Sequence, residues 1–176
     1  MPMCDVYIPK DALAADAERK LLSRVTDLLL EHEGADPSNE LVRSIAWLFV
    51  HRPEVYVAGE RAAEPHYRFV CQVPEGQYDD ERRAAVTAEI TQAVVEAEAG
   101  RWPNPEFRVW VFSLEIPDGT WGGAGKIFRL PDIVGFVSPE GREAAEERLA
   151  ARRRSEAAAI LRAGAEQAVS GLLGAR

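Results

Sequence analysis

The chain has 176 residues, 47% of them hydrophobic and 28% charged. That is enough apolar material for one ordinary domain or two small fused units, and too much for global disorder. A formal net charge of −8 makes it a poor partner for nucleic acid or an anionic membrane surface. No apolar run is long enough to cross a bilayer, and nothing reads as a secretory leader. Cys4 and Cys71 sit in apolar strand-like segments. They read as buried thiols of a cytoplasmic protein, not as a disulfide framework or a zinc site. His32, His51 and His66 lack metal-ligand spacing, so neither a metal nor another cofactor is expected.

The elements follow in order. Cys4 to Ile8 reads as a strand ended by Pro9, and Asp11 or Asp16 is placed to cap a helix. From about Ala14 to Glu33, Leu21, Leu22, Val25, Leu28 and Leu29 recur at helical spacing, and Gly34 supplies the C-terminal stop. Asp36 to Asn39 is turn chemistry. Ile45 to Val50 is a continuous apolar run of strand length, the pattern of a strand buried on both faces, closed by His51-Arg52-Pro53. Val55 to Val57 is expected as a short hairpin piece before a polar linker from Gly59 to Glu64.

The pattern then starts again. Pro65 opens a second strand, Tyr67 to Val73, and Pro74 ends it. Asp79 and Asp80 cap a second helix with Val86, Ile90, Ala93, Val94 and Ala97 on its apolar face; Gly100 stops it. Val109 to Leu114 is the second long strand, running on to Pro117. Pro9 and Pro74 lie 65 residues apart, Pro53 and Pro117 lie 64 apart, and the helix faces superpose, Leu21 on Val86 and Val25 on Ile90. Two β-α-β units of about sixty residues, fused head to tail, are predicted, with right-handed crossovers. After Leu130 the repeat is over. Ser138-Pro139 reads as the start of a helical extension whose thin apolar stripe is Leu149, Ala157, Ile160, Leu161, Ala168, Val169, Leu172 and Leu173. The predicted domain limits are 1–132, with pseudo-repeats 2–58 and 65–125, and 138–175 for the extension.

Pro2 follows the initiator methionine and opens the first strand. Once Met1 is removed, Pro2 is a free secondary amine at the edge of a sheet. The α-amine of a peptide titrates near ~7.7–8.0, and desolvation pulls a buried cation lower. Such an amine is suited to general base catalysis of a 1,3-keto–enol proton transfer.

Three stretches carry a likeness to a known family. They are Pro2 at the head of the first strand, His51-Arg52-Pro53-Glu54 at the end of the second, and the Gly-rich run Glu115 to Gly125 after the last. Over about Pro2 to Asp132 the chain resembles the tautomerase superfamily, in its long fused form, related to 4-oxalocrotonate tautomerase and the malonate semialdehyde decarboxylase-like group. The resemblance implies an α/β (α+β) fold: a four-stranded mixed sheet with two antiparallel helices on one face, here with a C-terminal helical extension. It also implies a homotrimer with the sheets facing inward, and cofactor-independent tautomerase or isomerase activity on a small 2-oxo or enol acid, with Pro2 as the base. A decarboxylase or hydratase member, and a non-catalytic oligomeric one, are the alternatives.

Trp121 matches the place where the family sets an aromatic beside the proline. Trp110 and Phe112 share one face of their strand by alternation and are candidates for the same cavity. A carboxylate substrate needs a cation, best an arginine with its bidentate fork. The decarboxylase and dehalogenase relatives carry arginines in the loop after the second unit's first strand, where this chain has Val73-Pro74-Glu75-Gly76-Gln77. Leu29 stands near the place of their water-activating partner. The remaining candidates for the carboxylate are Arg43, His51, Arg52, Arg68 and Arg108, with Lys126 a weaker one. Gly122 to Gly125 lacks the spacing of a phosphate loop.

Overall fold

The computed structural model describes residues 2–173, with side chains through residue 167. Ala168, Val169, Leu172 and Leu173 of the apolar stripe lie outside the described side chains. The chain divides into two compact units, Met1–Arg129 and Leu130–Arg176.

The first unit holds the repeat. Strand β1 (Met3–Tyr7) leads into α1 (Ala15–His32), a short α2 (Glu40–Ser44) and β2 (Trp47–His51). A hairpin, β3 (Tyr56–Val57) and β4 (Glu60–Arg61), links to β5 (Tyr67–Pro74), α3 (Asp80–Glu98) and β6 (Val109–Ile116). The hairpin of β7 (Trp121–Gly123) and β8 (Lys126–Phe128) closes the unit. The main sheet has the order β2-β1-β5-β6. β1 pairs with β2 and β5 with β6 in parallel, as two β-α-β crossovers require, and β1 meets β5 antiparallel at the centre. An offset of 65 residues carries α1 onto α3 and β1 into β5.

Both helices cover one face of the sheet. Alternation puts Cys4, Val6 and Ile8 of β1 and Phe69, Cys71 and Val73 of β5 inward, against Val25 and Leu28 of α1 and Val86, Ile90 and Val94 of α3. Cys4 and Cys71 face each other across the central pair, free, with sulfurs 3.6 Å apart. The hydrogen bond to Cys71, then burial, push the Cys4 thiol up, so it stays protonated.

Several expectations are corrected. No side chain caps α1: neither Asp11 nor Asp16 does so, and Ala14 stands at the cap. At α3 the cap is Asp79, which accepts from the Arg82 amide, while Asp80 is already helical. The linker after Val57 pairs as β4, turned by Ala58 and Gly59, both at positive φ, the geometry of a two-residue hairpin turn. Ile45 and Ala46 precede β2 instead of opening it. β2 is not buried on both faces: it is an edge strand, with Trp47 53% and Phe49 47% exposed. Its apolar character answers to a face that this chain does not itself cover.

The second unit starts one helix earlier than expected. Pro131, in the first turn of α4 (Leu130–Val137), marks the start. Ser138 precedes only a single 3-10 turn, Pro139–Gly141, before α5 (Arg142–Leu173). Leu130 and Val134 of α4 pack with Ala145 and Leu149 of α5. Beyond Leu149 the stripe is open, with Ile160 and Leu161 exposed. Among the described residues no helix is long and apolar enough to cross a membrane.

Candidate active site

The register fixes the two ends of the sheet. Met3 lies opposite Trp47 and Gln72, so Pro2 stands at the end where β5 and β6 finish in Pro74 and Ile116. Pro2 is buried, and its carbonyl accepts from the Trp47 amide at 3.3 Å. The β7–β8 hairpin with half-buried Trp121 leaves the sheet from this same end.

Four groups that sequence reasoning passed over gather here. Glu33 directly follows the last residue of α1, and its carboxyl is pushed up by burial, while the positive charge of the chain's amino terminus pulls it back. The Gln77 side chain donates to the Glu33 carbonyl at 2.7 Å. Tyr78 is 2% exposed; burial, and next the nearby Glu33 carboxylate, push its phenol up. The Gln77 amide oxygen and the Tyr78 hydroxyl are buried without a hydrogen-bond partner among the described residues. Arg82, on the first turn of α3, donates to the Gln77 carbonyl at 3.4 Å and lies 3.9 Å from Asp79. The loop has no arginine, as its sequence shows, but the helix behind it does.

The opposite end holds most of the expected substrate-binding residues. Arg68, Arg108, Trp110 and Phe112, with Tyr7 and His66, line a hollow of about 510 Å³. Arg68 lies over the rings of Tyr7 and Phe112, 5.2 Å from each centroid. Tyr7 lies five residue steps of extended strand from Pro2, about 16 Å, so this hollow and Pro2 do not meet within one chain.

The other candidates are held in pairs. Arg108, 4% exposed, clamps Glu98 with two bonds of 2.7 and 2.5 Å and also donates to the Pro65 carbonyl. Arg43 pairs with Asp27 and with the Pro37 carbonyl. Arg52 takes Glu18 with both its terminal nitrogens, at 2.8 and 2.6 Å. His51 meets Asp5 at 2.6 Å and stacks on Tyr7, 4.4 Å between centroids, at the last residue pair of β1 and β2. Trp110 and Phe112 do share a face, the one turned away from the helices. No group of three or more potential metal ligands occurs among the described residues.

No protein-family model matches the chain, and no curated protein matches it either. Solved structures do. Pt0534, crystallised after inactivation by 2-oxo-3-pentynoate, superposes with a TM-score of 0.58 at 24% identity, over 71% of this chain and 94% of that one. A fused 4-OT that forms an asymmetric trimer gives 0.57 at 16% identity, over 71% and 94%. N1, a member of the cis-3-chloroacrylic acid dehalogenase family, gives 0.59 at 16% identity, over 82% and 99%. The chain therefore has the tautomerase-superfamily fold, in a length that matches the long fused members.

Proposed function

We propose that the chain is a tautomerase-superfamily enzyme, a cofactor-independent isomerase of small 2-oxo or enol acids, with Pro2 as its reacting group after removal of Met1. What supports the reading is the buried place of Pro2 at the head of a central strand, at a sheet end where the Gln77 amide oxygen and the Tyr78 hydroxyl are buried without a hydrogen-bond partner among the described residues. The amine takes a proton from one end of the enol system and returns it at the other, within hydrogen-bond reach of both. Trp121 leaves the sheet at this end and is the aromatic assigned to its wall. Arg82 is the cation assigned to the substrate carboxylate, since Arg43, Arg52 and Arg108 each already hold a carboxylate of the chain itself.

A homotrimer belongs to the same reading. The open face carries Trp47, Phe49, Trp110, Phe112 and Leu114, all exposed, and an apolar patch of this kind marks an interaction surface. A neighbouring copy would cover it and bring its own far-end residues, Arg68 among them, toward Pro2.

The test is the ketonisation of phenylenolpyruvate, followed by absorbance. Pro2→Ala should lose about 10²–10⁴-fold in kcat, with the fold intact by circular dichroism. Arg82→Ala should raise KM by about tenfold, equivalent to ~1.4 kcal/mol of binding, with kcat little changed. Full activity in Pro2→Ala would sink the reading; an unchanged KM in Arg82→Ala would remove that residue's role alone.

A further inference from the structure

We infer that Glu75 and Glu115 form a reciprocal latch between the loop that carries Gln77 and Tyr78 and the root of the β7–β8 hairpin, and through it position Trp121 at the Pro2 end. The inference rests on the reading of that end as the reacting one and adds two positioning residues to it.

The latch is built where β5 and β6 finish. The two strands pair in register to their last residues, Val73 with Glu115 and Pro74 with Ile116. At that end each segment sends a carboxylate to the other. Glu75 accepts the Asp118 amide at 2.8 Å, and Glu115 accepts the Gly76 amide at 3.3 Å. Between them the Glu75 amide donates to the Ile116 carbonyl at 3.0 Å. A bond from a backbone N–H to a carboxylate is charge-assisted and stronger than a neutral one. Glu115 also takes Arg83, near the start of α3, at 3.1 Å, and Arg83 donates to the Tyr78 carbonyl at 3.2 Å. On the hairpin side Arg129, just after β8, pairs with Asp118, just before β7, at 2.6 Å. Loop, helix start and hairpin root are thereby one connected body.

The other repeat shows that the turn does not need these carboxylates. Sixty-five residues earlier, Pro9 to Ala12 makes the same turn. Ala12 donates to the Pro9 carbonyl at 3.2 Å, as Gln77 does to that of Pro74 at 3.1 Å, and Asp11 and Gly76 both have positive φ. Lys10 stands there in the place of Glu75, and Val50 in the place of Glu115. The β3–β4 hairpin has a root pair of its own, Arg61 with Glu54 at 3.0 Å. Among the described residues no hydrogen bond or ion pair joins that hairpin to the Pro9–Ala12 turn. Both turns close, so what Glu75 and Glu115 add is the tie to the hairpin that bears Trp121.

A wall held in place before the ligand arrives spares binding the cost of ordering it. Pro2 heads β1 and takes no part in the latch. Releasing the latch therefore weakens substrate binding more than it slows the proton transfer.

The test is residue-resolved amide exchange by NMR on the full chain, with the indole N–H of Trp121, assigned by Trp121→Phe, as a second signal. Glu75→Ala removes one acceptor. The Asp118 amide should exchange about tenfold faster or more. The Gly76 amide, which Glu115 holds and the substitution does not touch, should follow it, and the Trp121 indole resonance should move. KM for phenylenolpyruvate should rise about tenfold, with kcat within about threefold. Glu75→Gln keeps an acceptor oxygen and should restore most of each change. Faster exchange at Asp118, with Gly76 and the Trp121 indole unchanged, shows two separate bonds and overturns the latch. Both amides released with KM unmoved overturns the positioning role. If Glu75→Ala does not fold, Glu115→Gln decides: the Asp118 amide should exchange faster, and an unchanged one overturns the inference. A wild type without ketonisation defeats the reading of the Pro2 end by itself, and the exchange and indole signals still decide the latch.

Discussion

Glu33 and Glu98 occupy the same place in two copies of one β-α-β unit, and their surroundings have diverged. At the far end the acid is closed off: Arg108 grips it with two hydrogen bonds, and the cluster also holds the Pro65 carbonyl. That arrangement ties the end of α3 to the start of β5. At the Pro2 end Arg43 pairs with Asp27, the facing loop carries Gln77 and Tyr78, and the strand is headed by Pro2 where the other is headed by Tyr67. One repeat buries its acid against an arginine, and in the other the equivalent arginine pairs elsewhere. Arg43, Arg52 and Arg108, which looked like substrate ligands in the sequence, are each engaged in an ion pair within the chain.

The largest effect expected is on stability at the far end. Arg108→Met leaves Glu98 buried and unpaired, and should cost about 3–5 kcal/mol in urea unfolding. Arg43→Met, at the equivalent position but in a half-exposed pair, should cost less than about 1 kcal/mol. Equal losses would erase the distinction between the ends.

Next in size is the change in assembly. Trp110→Glu puts a charge on the open face, and sedimentation should show the proposed trimer replaced by smaller species. A monomeric wild-type protein would end the trimer reading at once.

The smallest effect is alkaline. Tyr67 and Tyr78 are held above the ordinary phenol value chiefly by burial. The native state then keeps protons that the unfolded state releases. The stability this contributes is complete below the unfolded value, about 10, and falls as pH rises beyond it. Absorbance at 295 nm should show two of the four tyrosines ionising only as the protein unfolds. Ionisation of all four in the folded protein would show these sites to be open.

Much of the fold was legible because it is written twice. The proline spacing, the two helical faces and the alternation of β5 and β6 are local signals, and each copy supports the other. The burial of β2 was misjudged because a run such as Trp47 to Val50 records that its surroundings are apolar, not whose chain supplies them. α4 was missed because Leu130 to Val137 is too short and too apolar to show helical periodicity. At the candidate site, Pro2 and Trp121 were singled out from position and likeness. The roles of Arg43, Arg52 and Arg108 depend on Asp27, Glu18 and Glu98, partners that no local pattern reveals. Glu33 was different: the 65-residue offset that aligned Leu21 with Val86 also aligns Glu33 with Glu98, and two acids at one repeat position was the signal that went unused.

Which end of the sheet reacts is open to direct labelling. An alkynyl ketone such as 2-oxo-3-pentynoate takes up a secondary amine by conjugate addition, and the protein can then be digested and the adduct mapped by mass spectrometry. One equivalent per chain on the peptide that begins with Pro2, and none on chains that keep Met1, is the result expected. Labelling at the Arg68–Trp110 hollow with Pro2 untouched would contradict it.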